Sequence, residues 1–470
     1  MRKLPISLFG SLAALFVTLV MAACAPEAPP AFRATIAPSA TAPIYTATPT
    51  TTPTFTPTPT ATLTTTPTAT ATATLTPSPT PTVPLLTLTP PSDEGAPAAR
   101  RPREFDLAPT EGWTCGDFPC EDDIDGFLSR IRVPEGFLVR HYGRFPGQPM
   151  QIAFGSDGRL YAIVLENGTR SGAVYALNAD GSTERYAGDF VSPVGLAFQP
   201  GTDVLYVSAR QTLESGGVLY RIPPGGTPEI VRDDLPCCFS IIDNQPNGMV
   251  FGPDGYLYLG VGSLTDHAEP SDPAHQQFAT LEPLEAAVLR IQPHTGEIEP
   301  YARGLRNPFD VTFDSQGTFY ATDQGLVTGE GDRVLKLEAG GHYGFPYWRL
   351  RGCAECPFTP PELDVLPELL LLPTYAIPRG LVAYTGTTFP QNYYDTLFVA
   401  IWNAIEGGQR IVHIDPRLVP ADPETRATYV PEPFVTGLIR PIDVAMTPDG
   451  ALVVADFIYG HVWRIDYVGS

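Results

Sequence analysis

One phrase recurs along the chain: an apolar run, a turn rich in Gly, Pro and Asp, and a second apolar run. It reads "NQPNGMVFGPDGYLYLGVGS" at 244–263. Five further copies, one of them more diverged, are "PMQIAFGSDGRLYAIV" at 149, "PVGLAFQPGTDVLYVSA" at 193, "PFDVTFDSQGTFYATDQG" at 308, "RGLVAYTGTTFPQNYYDTLFVAI" at 379 and "PIDVAMTPDGALVVADF" at 441. A third apolar run follows most copies, as in "GAVYALNADG" and "HVWRIDY". A repeated strand–turn–strand–loop–strand unit is typical of β-propeller blades.

Six copies predict an all-β, six-bladed propeller over residues 104–470, with about 60 residues per blade because the loops are long. The last copy has only three strands before the chain ends. The segment "GFLVRHYG" at 136–143 is expected to supply the fourth strand and to close the ring, which protects the edge strands. A β-sandwich is the alternative, but it explains the recurring phrase less well.

The first hundred residues have a different composition. Arg2 and Lys3 precede a long apolar stretch that ends in "MAAC", which predicts a bacterial lipoprotein signal over 1–24 with a lipidated Cys24. An ordinary secretory signal is the alternative. Residues 25–103 are mostly Thr, Pro and Ala and cannot bury a core, so they predict a disordered stalk. We therefore expect an extracytoplasmic protein, at the cell surface or in the periplasm, attached to a membrane only through lipid.

The charge balance excludes one class of partner. The chain has 29 Lys and Arg against 51 Asp and Glu, a formal net charge of −22, and it contains no basic run. Because binding to phosphate backbones depends on clustered Lys and Arg, we expect no nucleic-acid partner.

Six cysteines remain after Cys24, and they form three close pairs. In an oxidising compartment such pairs predict local disulfides. Zinc is the alternative for "CAEC", although no second pair or His follows at the spacing of a zinc finger. The adjacent cysteines at 237 and 238 leave the connectivity open. The candidates are Cys115 with Cys120, Cys237 with Cys238, and Cys353 with Cys356.

The hairpin geometry predicts where functional groups gather. Residues before each first strand and after each second strand share one mouth of the central channel, whereas the Asp-Gly turns at 157, 254 and 449 lie at the opposite end. The mouth set is Asn244 with Gln245, Arg306 with Asn307, Arg440, Ser263 to His267, Asp323 to Gly325, and Asn403 with Glu406. Converging arginines favour an anionic ligand. Salt bridges between blades are the alternative for a single arginine.

Several of these motifs resemble a known family. The phrases "ARGLRNPFDVTFDSQGTFYATDQG", "EAGGHYGFPYW", "NGMVFGPDGYLYLGVGS" and "GLIRPIDVAMTPDGALVVAD" are similar to those of the soluble quinoprotein glucose/sorbosone dehydrogenases, in order, from about residue 136 onward. The resemblance implies a six-bladed propeller that holds pyrroloquinoline quinone (PQQ) and Ca²⁺ in the channel mouth. It also implies oxidation of sugar hydroxyls or of the hydrated aldehyde of sorbosone.

The resemblance assigns roles to individual residues. It places Arg306 and Asn307 against the quinone, where a guanidinium would also stabilise charge that builds on the quinone oxygen during hydride transfer. It places Arg440 at the cofactor carboxylates, for which guanidinium groups are suitable partners. The backbone carbonyls of Gly325 and Leu326 correspond to those that hold calcium, a cation that prefers oxygen ligands.

The proton-accepting half of the family pattern is different here. The family's catalytic His corresponds to Asn244, and an amide cannot take a proton from a hydroxyl as imidazole does. The carboxylate that supports that His corresponds to Ser263, and a lysine of the cofactor site corresponds to Asn403. The loop "SLTDHAEP" follows the second strand of the same blade, so His267, with Asp266 and Glu269, is a candidate substitute base.

Three functions therefore stand beside each other. The first is a PQQ-dependent sugar or aldehyde dehydrogenase, and the second is a non-catalytic propeller that binds carbohydrate or a cell surface. The third is a calcium-dependent lactonase that uses Asp323, Asn244 and Asn307. The dehydrogenase would pass electrons to an external acceptor, because no C-x-x-C-H haem-attachment motif is present.

Overall fold

The computed structural model describes residues 115, 118–168, 170–239, 244–268, 281–326, 331–348, 353 and 356–469. The expected signal at 1–24, its Cys24 and the expected stalk at 25–103 lie outside these residues. The described part contains two short α-helices, α1 (Ile124–Arg130) and α2 (Pro423–Arg426). Neither of these described helices is long and apolar enough to cross a bilayer.

Within the described ranges, twenty-four strands form six antiparallel blades of four strands each, as the sequence predicted. Five of the blades take four consecutive strands each. The first blade has β2 (Gln148–Phe154), β3 (Leu160–Leu165), β4 (Ser171–Leu177) and β5 (Thr183–Val191), and the second has β6 (Leu196–Phe198), β7 (Leu205–Arg210), β8 (Gly217–Ile222) and β9 (Glu229–Leu235). The third has β10 (Pro246–Phe251), β11 (Leu257–Val261), β12 (Ala287–Ile291) and β13 (Ile298–Arg303), the fourth has β14 (Pro308–Phe313), β15 (Phe319–Asp323), β16 (Arg333–Leu337) and β17 (Leu370–Leu371), and the fifth has β18 (Pro378–Tyr384), β19 (Thr396–Ile401), β20 (Arg410–Ile414) and β21 (Glu432–Val435). A single pairing between Val191 and Arg210 joins the first two blades into one sheet.

The sixth blade closes the ring. Its strands are β22 (Pro441–Met446), β23 (Leu452–Asp456), β24 (His461–Tyr467) and, as the outer strand, β1 (Phe137–Arg144). Strand β1 pairs with β24 from Phe137 opposite Tyr467 to Arg144 opposite His461. The first strands of the six blades pack against one another in sequence around the channel, and β22 packs against β2. The expectation that residues 136–143 complete the last blade is confirmed.

The second strand of every blade is buried at all of its positions, because each blade packs on both faces against its neighbours. Strands buried on both faces read as near-continuous apolar runs and not as alternating patterns. This explains why the second run of each repeated phrase, such as "LYAIVL" or "LVVAD", is the most apolar part of it.

Three polar side chains tie the first strands together inside the channel. The Gln151 amide donates to Asp310 Oδ1 at 2.6 Å, and its Oε1 accepts the backbone N–H of Leu196 at 2.8 Å. Asp310 Oδ2 accepts the N–H of Leu381 at 2.9 Å. Asp443 Oδ2 accepts the N–H of Ile152 at 2.7 Å. Gln151 Oε1 also lies 3.3 Å from the N–H of the third blade's first strand, so these bonds reach all six blades.

Glycine occupies the equivalent position in the other three blades, and in two of them, at Gly248 and Gly380, it leaves room for those side chains. A Cβ on Gly380 would collide with the Asp443 carboxylate, and one on Gly248 would lie 2.6 Å from Asp310 Oδ1. The channel at this level is a cavity of about 320 Å³ lined by the three polar side chains among apolar neighbours. Burial raises the pKa of both carboxyl groups, and the charge of Asp310 raises the pKa of Asp443 further.

The segment before β1 covers the closing blade. Helix α1 buries Phe127 against Trp463 and His461, with ring centroids 5.4 Å and 5.1 Å apart. His461 Nε2 lies 2.8 Å from the carbonyl oxygen of Glu121, so it must donate, and its Nδ1 accepts from His141 Nε2 at 3.1 Å. The His461 ring is therefore neutral in this arrangement, because one of its nitrogens donates and the other accepts. Burial lowers the pKa of His461 to about 3 and also lowers that of His141.

We predict that Gly380→Ala destabilises the protein by about 1–3 kcal/mol, the usual effect of an extra methyl group in a packed interior. The new Cβ would push the Asp443 carboxylate out of its bond to the neighbouring blade. Urea unfolding measures the change. Gly226→Ala is the control, since Gly226 has no positive φ and its Cβ would meet only atoms of Pro223 at 3.2 Å or more. Equal stability of both variants would contradict the role of the channel bonds.

We predict a separate acid sensitivity at the closing blade. The folded pKa of His461 lies below its unfolded value of 6.5, so its contribution is complete above that value and is lost as the pH falls towards about 3. His461→Phe keeps the aromatic packing and removes this titration. The difference in melting temperature between wild type and variant should therefore shrink as the pH falls below 6.5. The exposed His294, changed to Gln, is the control, and a pH-independent difference for His461→Phe would contradict the prediction.

Candidate active site

The register of the hairpins brings the expected residues to one mouth of the channel. Pro246 lies opposite Val261, Pro308 opposite Asp323, and Pro441 opposite Asp456. Residues just before the first strands therefore sit beside residues just after the second strands. The glycines of the Asp-Gly turns, at 158, 255 and 450, have φ between 78° and 88° and lie at the other ends of these hairpins. They are turn formers, as the sequence predicted.

Asn244 lies at the centre of a buried polar network. Its Nδ2 donates to Ser263 Oγ at 3.0 Å and is 3.3 Å from the carbonyl oxygen of Arg306, and its backbone N–H donates to Asn307 Oδ1 at 3.0 Å. Its φ of 54° lies in the left-handed region, which Asn tolerates better than most residues. Asn244 thus acts as a hydrogen-bond donor that holds two blades together, and its amide has no basic nitrogen.

Arg306 is held by the loop that follows β11. Its Nε donates to the backbone oxygen of Asp266 at 3.1 Å, and its Nη2 forms an ion pair with Asp266 Oδ1. The other carboxylate oxygen of Asp266, Oδ2, lies 3.4 Å from Nδ1 of His267. The Arg306 side chain is 7% exposed, whereas that of His267 is 23% exposed. Glu269, the third residue proposed for this loop, lies outside the described residues.

A buried ion pair supports Asn307 from behind. The N–H of Asn307 donates to Asp323 Oδ1 at 2.8 Å, and Asp323 Oδ2 pairs with Arg333, whose guanidinium carbon lies 4.7 Å from the Trp348 ring centre. Asp323 and Arg333 are both fully buried, and removing one partner of such a pair leaves an uncompensated charge. The carboxylate of Asp323 is therefore committed to structure, which disfavours its use as a calcium ligand in a lactonase.

Gly325 and Leu326 lie at the mouth, just after the end of β15. The N–H of Gly325 donates to Asp332 Oδ1 at 2.8 Å, and Asp332 Oδ2 accepts the N–H of Ile377 at 2.6 Å. Asp332 thus fixes the segment whose carbonyls are expected to hold calcium, and burial raises its pKa to about 6. Within the described residues, no group of three or more His, Cys, Asp or Glu side chains is placed to hold a metal.

Arg440 and Asn403 form a second polar cluster at the mouth. Arg440 Nη1 donates to Asn403 Oδ1 and to the carbonyl oxygen of Trp402, both at 3.1 Å, and its backbone N–H donates to Asp456 at 2.8 Å. Asn403 Nδ2 donates to the carbonyl oxygen of Tyr375 at 3.0 Å. The two predicted residues are therefore in direct contact, and Asn403 is a hydrogen-bond partner of Arg440.

Tyr375 connects the two clusters. Together with Arg306, Gln324, Gly325, Leu326 and Asp332 it lines a cavity of about 50 Å³ at the mouth. Its φ is 69°, and that of Ile377, a β-branched residue, is 53°. Backbone strain of this kind is often concentrated at functional sites.

The sequence reasoning missed Tyr375, Asp332 and Arg379, whose guanidinium carbon lies 5.4 Å from the Trp402 ring centre. A Pro-preceded loop ending in "TYAIP" was the only signal for the strained pair.

The cysteines pair as the sequence suggested. Disulfides join Cys115 to Cys120, Cys237 to Cys238 and Cys353 to Cys356. The third pair is buried in a cluster that includes Leu326, Phe345 and Trp348, so it stabilises the wall of the mouth. The zinc alternative for "CAEC" is wrong in this structure, because its two sulfurs are bonded to each other.

The donor set fits an anionic quinone only in part. Arg306, Arg440 and Asn307 are suitable partners for carboxylates, and the segment at 325–326 offers backbone oxygens for a hard cation. As shaped, the 50 Å³ cavity is about the volume of one or two water molecules, so Tyr375 or the Asp266 loop must move to admit a tricyclic ligand. Asn244 does not fit the role of proton acceptor. The remaining Glu406 of the predicted mouth set is exposed.

Comparison with known proteins agrees with this description. Residues 243–456 match the family model described as Glucose / Sorbosone dehydrogenase. The segment runs from just before β10 to the end of β23 and contains every predicted cofactor residue. The resemblance that the sequence motifs indicated is confirmed.

Solved structures show the same fold. An oxidoreductase described as a glucose dehydrogenase from Thermus thermophilus aligns with a TM-score of 0.53 and 22% identity, over 70% of this chain and 99% of that chain. The PQQ-bound aldose sugar dehydrogenase from Streptomyces coelicolor gives 0.50 and 19%, over 71% and 99%. The soluble aldose sugar dehydrogenase from Escherichia coli gives 0.55 and 14%, over 70% and 99%.

A curated relative from Borreliella burgdorferi, described as an uncharacterized protein, is 27% identical over 205 residues. The alignment covers 39% of this chain and 52% of the relative. The chain therefore spans about half the length of the curated relative it matches.

Proposed function

We propose, from the match of residues 243–456 to the glucose/sorbosone dehydrogenase family, that this chain is an oxidoreductase that acts on a sugar or an aldehyde with PQQ and Ca²⁺. The observation that carries the proposal is the convergence of Arg306 and the 325–326 segment on one small cavity, with Arg440 linked to it through Asn403 and Tyr375. When bound, the quinone would accept a hydride from the substrate carbon.

The residues of this chain have distinct tasks in the proposal. Arg306 and Asn307 lie against the quinone, Arg440 binds the carboxylates of the cofactor, and Asn403 keeps Arg440 directed at the mouth. The carbonyls of Gly325 and Leu326 hold Ca²⁺, and Asp332 fixes that segment through its bond to Gly325. Electrons leave to an external acceptor.

His267 is the proton acceptor in this proposal. Asn244 lacks a basic nitrogen and its Nδ2 donates to Ser263, so a base must come from elsewhere at the mouth. His267 lies on the loop that bonds Arg306, and Asp266 faces its Nδ1. A carboxylate at Nδ1 favours the tautomer with the proton on Nδ1, which leaves Nε2 as the basic nitrogen that takes the substrate hydroxyl proton.

A binding propeller without turnover is the second candidate function. It is favoured by the same Asn244, which replaces the family base and is used as a structural hydrogen-bond donor between blades. Such a protein would keep the anion-binding arginines and recognise a carbohydrate or a surface without oxidising it.

The test uses the full-length chain purified without cofactor. We expect calorimetry and absorbance to detect binding of PQQ in the presence of Ca²⁺, and aldoses or aldehydes to reduce a dye. His267→Gln should bind PQQ as the wild type does but should turn over about 100-fold more slowly, in the range usual for loss of a general base. His294→Gln, an exposed His on a different loop, is the matched control.

Three results would decide against parts of the proposal. Absence of PQQ binding would reject the quinoprotein function. PQQ binding without dye reduction by any substrate would favour the binding propeller. Unchanged turnover in His267→Gln would show that another group takes the proton.

We also propose that the protein acts outside the cytoplasm, anchored through lipid on Cys24. The signal-like residues 1–24 support this, and so do the three disulfides, which are typical of oxidising compartments. Labelled palmitate should be incorporated into the wild type, and Cys24→Ser should lose the label and move to the soluble fraction. Label retained by the variant would contradict the anchor.

A further inference from the structure

Asp266 already occupies the guanidinium that an anionic ligand would need. All three nitrogens of Arg306 have a partner: Nε bonds the backbone oxygen of Asp266, Nη2 pairs with its carboxylate, and Nη1 lies 3.4 Å from the carbonyl oxygen of Gln324. The Nε and Nη2 edge is the fork that a carboxylate binds with two parallel hydrogen bonds. One residue of the chain therefore covers this edge completely.

The covering residue is less firmly held than the arginine. The Asp266 side chain is 35% exposed, whereas that of Arg306 is 7% exposed. Arg306 lies two residues before β14, and the next residue, Asn307, is fixed by the bond from its N–H to Asp323. Asp266 sits on a loop whose conformation depends on small contacts, such as the bond from Ser263 Oγ to the carbonyl oxygen of Thr265 at 2.7 Å. The carboxylate can therefore leave the guanidinium more easily than the guanidinium can leave the mouth.

We propose that Asp266 is an internal counter-ion of Arg306 that competes with an anionic ligand for the same guanidinium edge. Binding of such a ligand displaces Asp266 from this edge of the guanidinium. The identity of the ligand as PQQ rests on the proposed function, but the competition itself rests only on the Asp266–Arg306 contact.

The displacement also affects His267. One Asp266 oxygen faces Arg306 and the other faces His267 Nδ1 at 3.4 Å, so one carboxylate serves two cationic or donor groups. When the ligand binds the guanidinium, Asp266 loses its contact with Arg306 and keeps its contact with the imidazole of His267. Asp266 is thus a positioning residue that couples occupation of the anion site to the orientation of the proposed base.

A double-mutant cycle tests the competition by binding and not by turnover. The full-length wild type, Asp266→Asn, Arg306→Gln and the double variant are titrated calorimetrically with citrate, a simple tricarboxylate, and separately with PQQ. We expect Asp266→Asn to bind citrate about tenfold more tightly than the wild type, within the usual range of coupling between sites. In the Arg306→Gln background the same substitution should change the affinity by less than about twofold.

The second background separates this mechanism from general electrostatics. Removing any nearby negative charge strengthens anion binding somewhat, but that effect would persist without Arg306. A gain that persists in Arg306→Gln, or an Asp266→Asn variant that does not bind citrate more tightly than the wild type, would overturn the proposal. In a His267→Gln background, Asp266→Asn should strengthen citrate binding by the same factor. Loss of this gain in that background would instead show that Asp266 acts through the imidazole of His267.

Failure of the proposed function gives a different pattern. If citrate follows the cycle while no variant binds PQQ, Asp266 is the counter-ion of an anion site that is not a PQQ site. If PQQ binds but citrate and PQQ affinities are both insensitive to Asp266→Asn, the quinoprotein function stands and the competition is wrong. Thermal melts of the four proteins verify that each is folded.

Discussion

The fold depends on bonds that cross the centre of the ring. A propeller blade contacts only its two neighbours along the circumference, but Gln151, Asp310 and Asp443 reach across the channel and join the first strands of all six blades. These bonds are buried, so a missing partner would leave a polar group without water. Gly248 and Gly380 are required by the same arrangement. The mouth residues directly precede or follow the strands of these hairpins, so the bonds across the channel also set the distances between the mouth residues.

The mouth itself is built from groups that bond one another. Asn244 joins two blades, Arg440 holds Asn403, and Asp266 covers Arg306. A site assembled in this way is stable without a ligand, and a ligand gains affinity only by the difference between the bonds it makes and those it replaces. Asn244 in particular is part of this framework, because its amide and its backbone N–H both bond the neighbouring blade.

The sequence predicted the architecture well because the relevant signals are local. Each blade repeats the same apolar runs and turn, and the closing strand at 136–143 was identified from the incomplete last copy. The mouth residues were also placed correctly, since the direction of a hairpin determines which of its ends share a face. Close spacing predicted the two disulfides Cys115–Cys120 and Cys353–Cys356, whereas the pairing of Cys237 with Cys238 was left open by the sequence and is given by the structure.

The sequence was less informative where contacts join distant loops. Asp332 bonds Gly325 and Ile377, and nothing in the local pattern around 332 marks it as the residue that fixes the segment at 325–326. The pairing of Asp266 with Arg306 spans 40 positions and depends on how two loops meet. One position of the repeat is Gln, Asp or Gly, at residues 151, 195, 248, 310, 380 and 443. The sequence shows this pattern, but the bonds that these residues make can be seen only when the strands face one another.

The closure of the ring by β1 has a consequence for how the chain is made. Strand β1 is synthesised before every other strand of the propeller, yet the strand it pairs with, β24, is the last. During synthesis its backbone groups have no strand to pair with until about 330 further residues have been made, since Phe137 pairs with Tyr467. The exposed Arg140 and the neighbouring charges on β1 keep this waiting edge soluble. The sixth blade therefore cannot be completed before β24 has been synthesised.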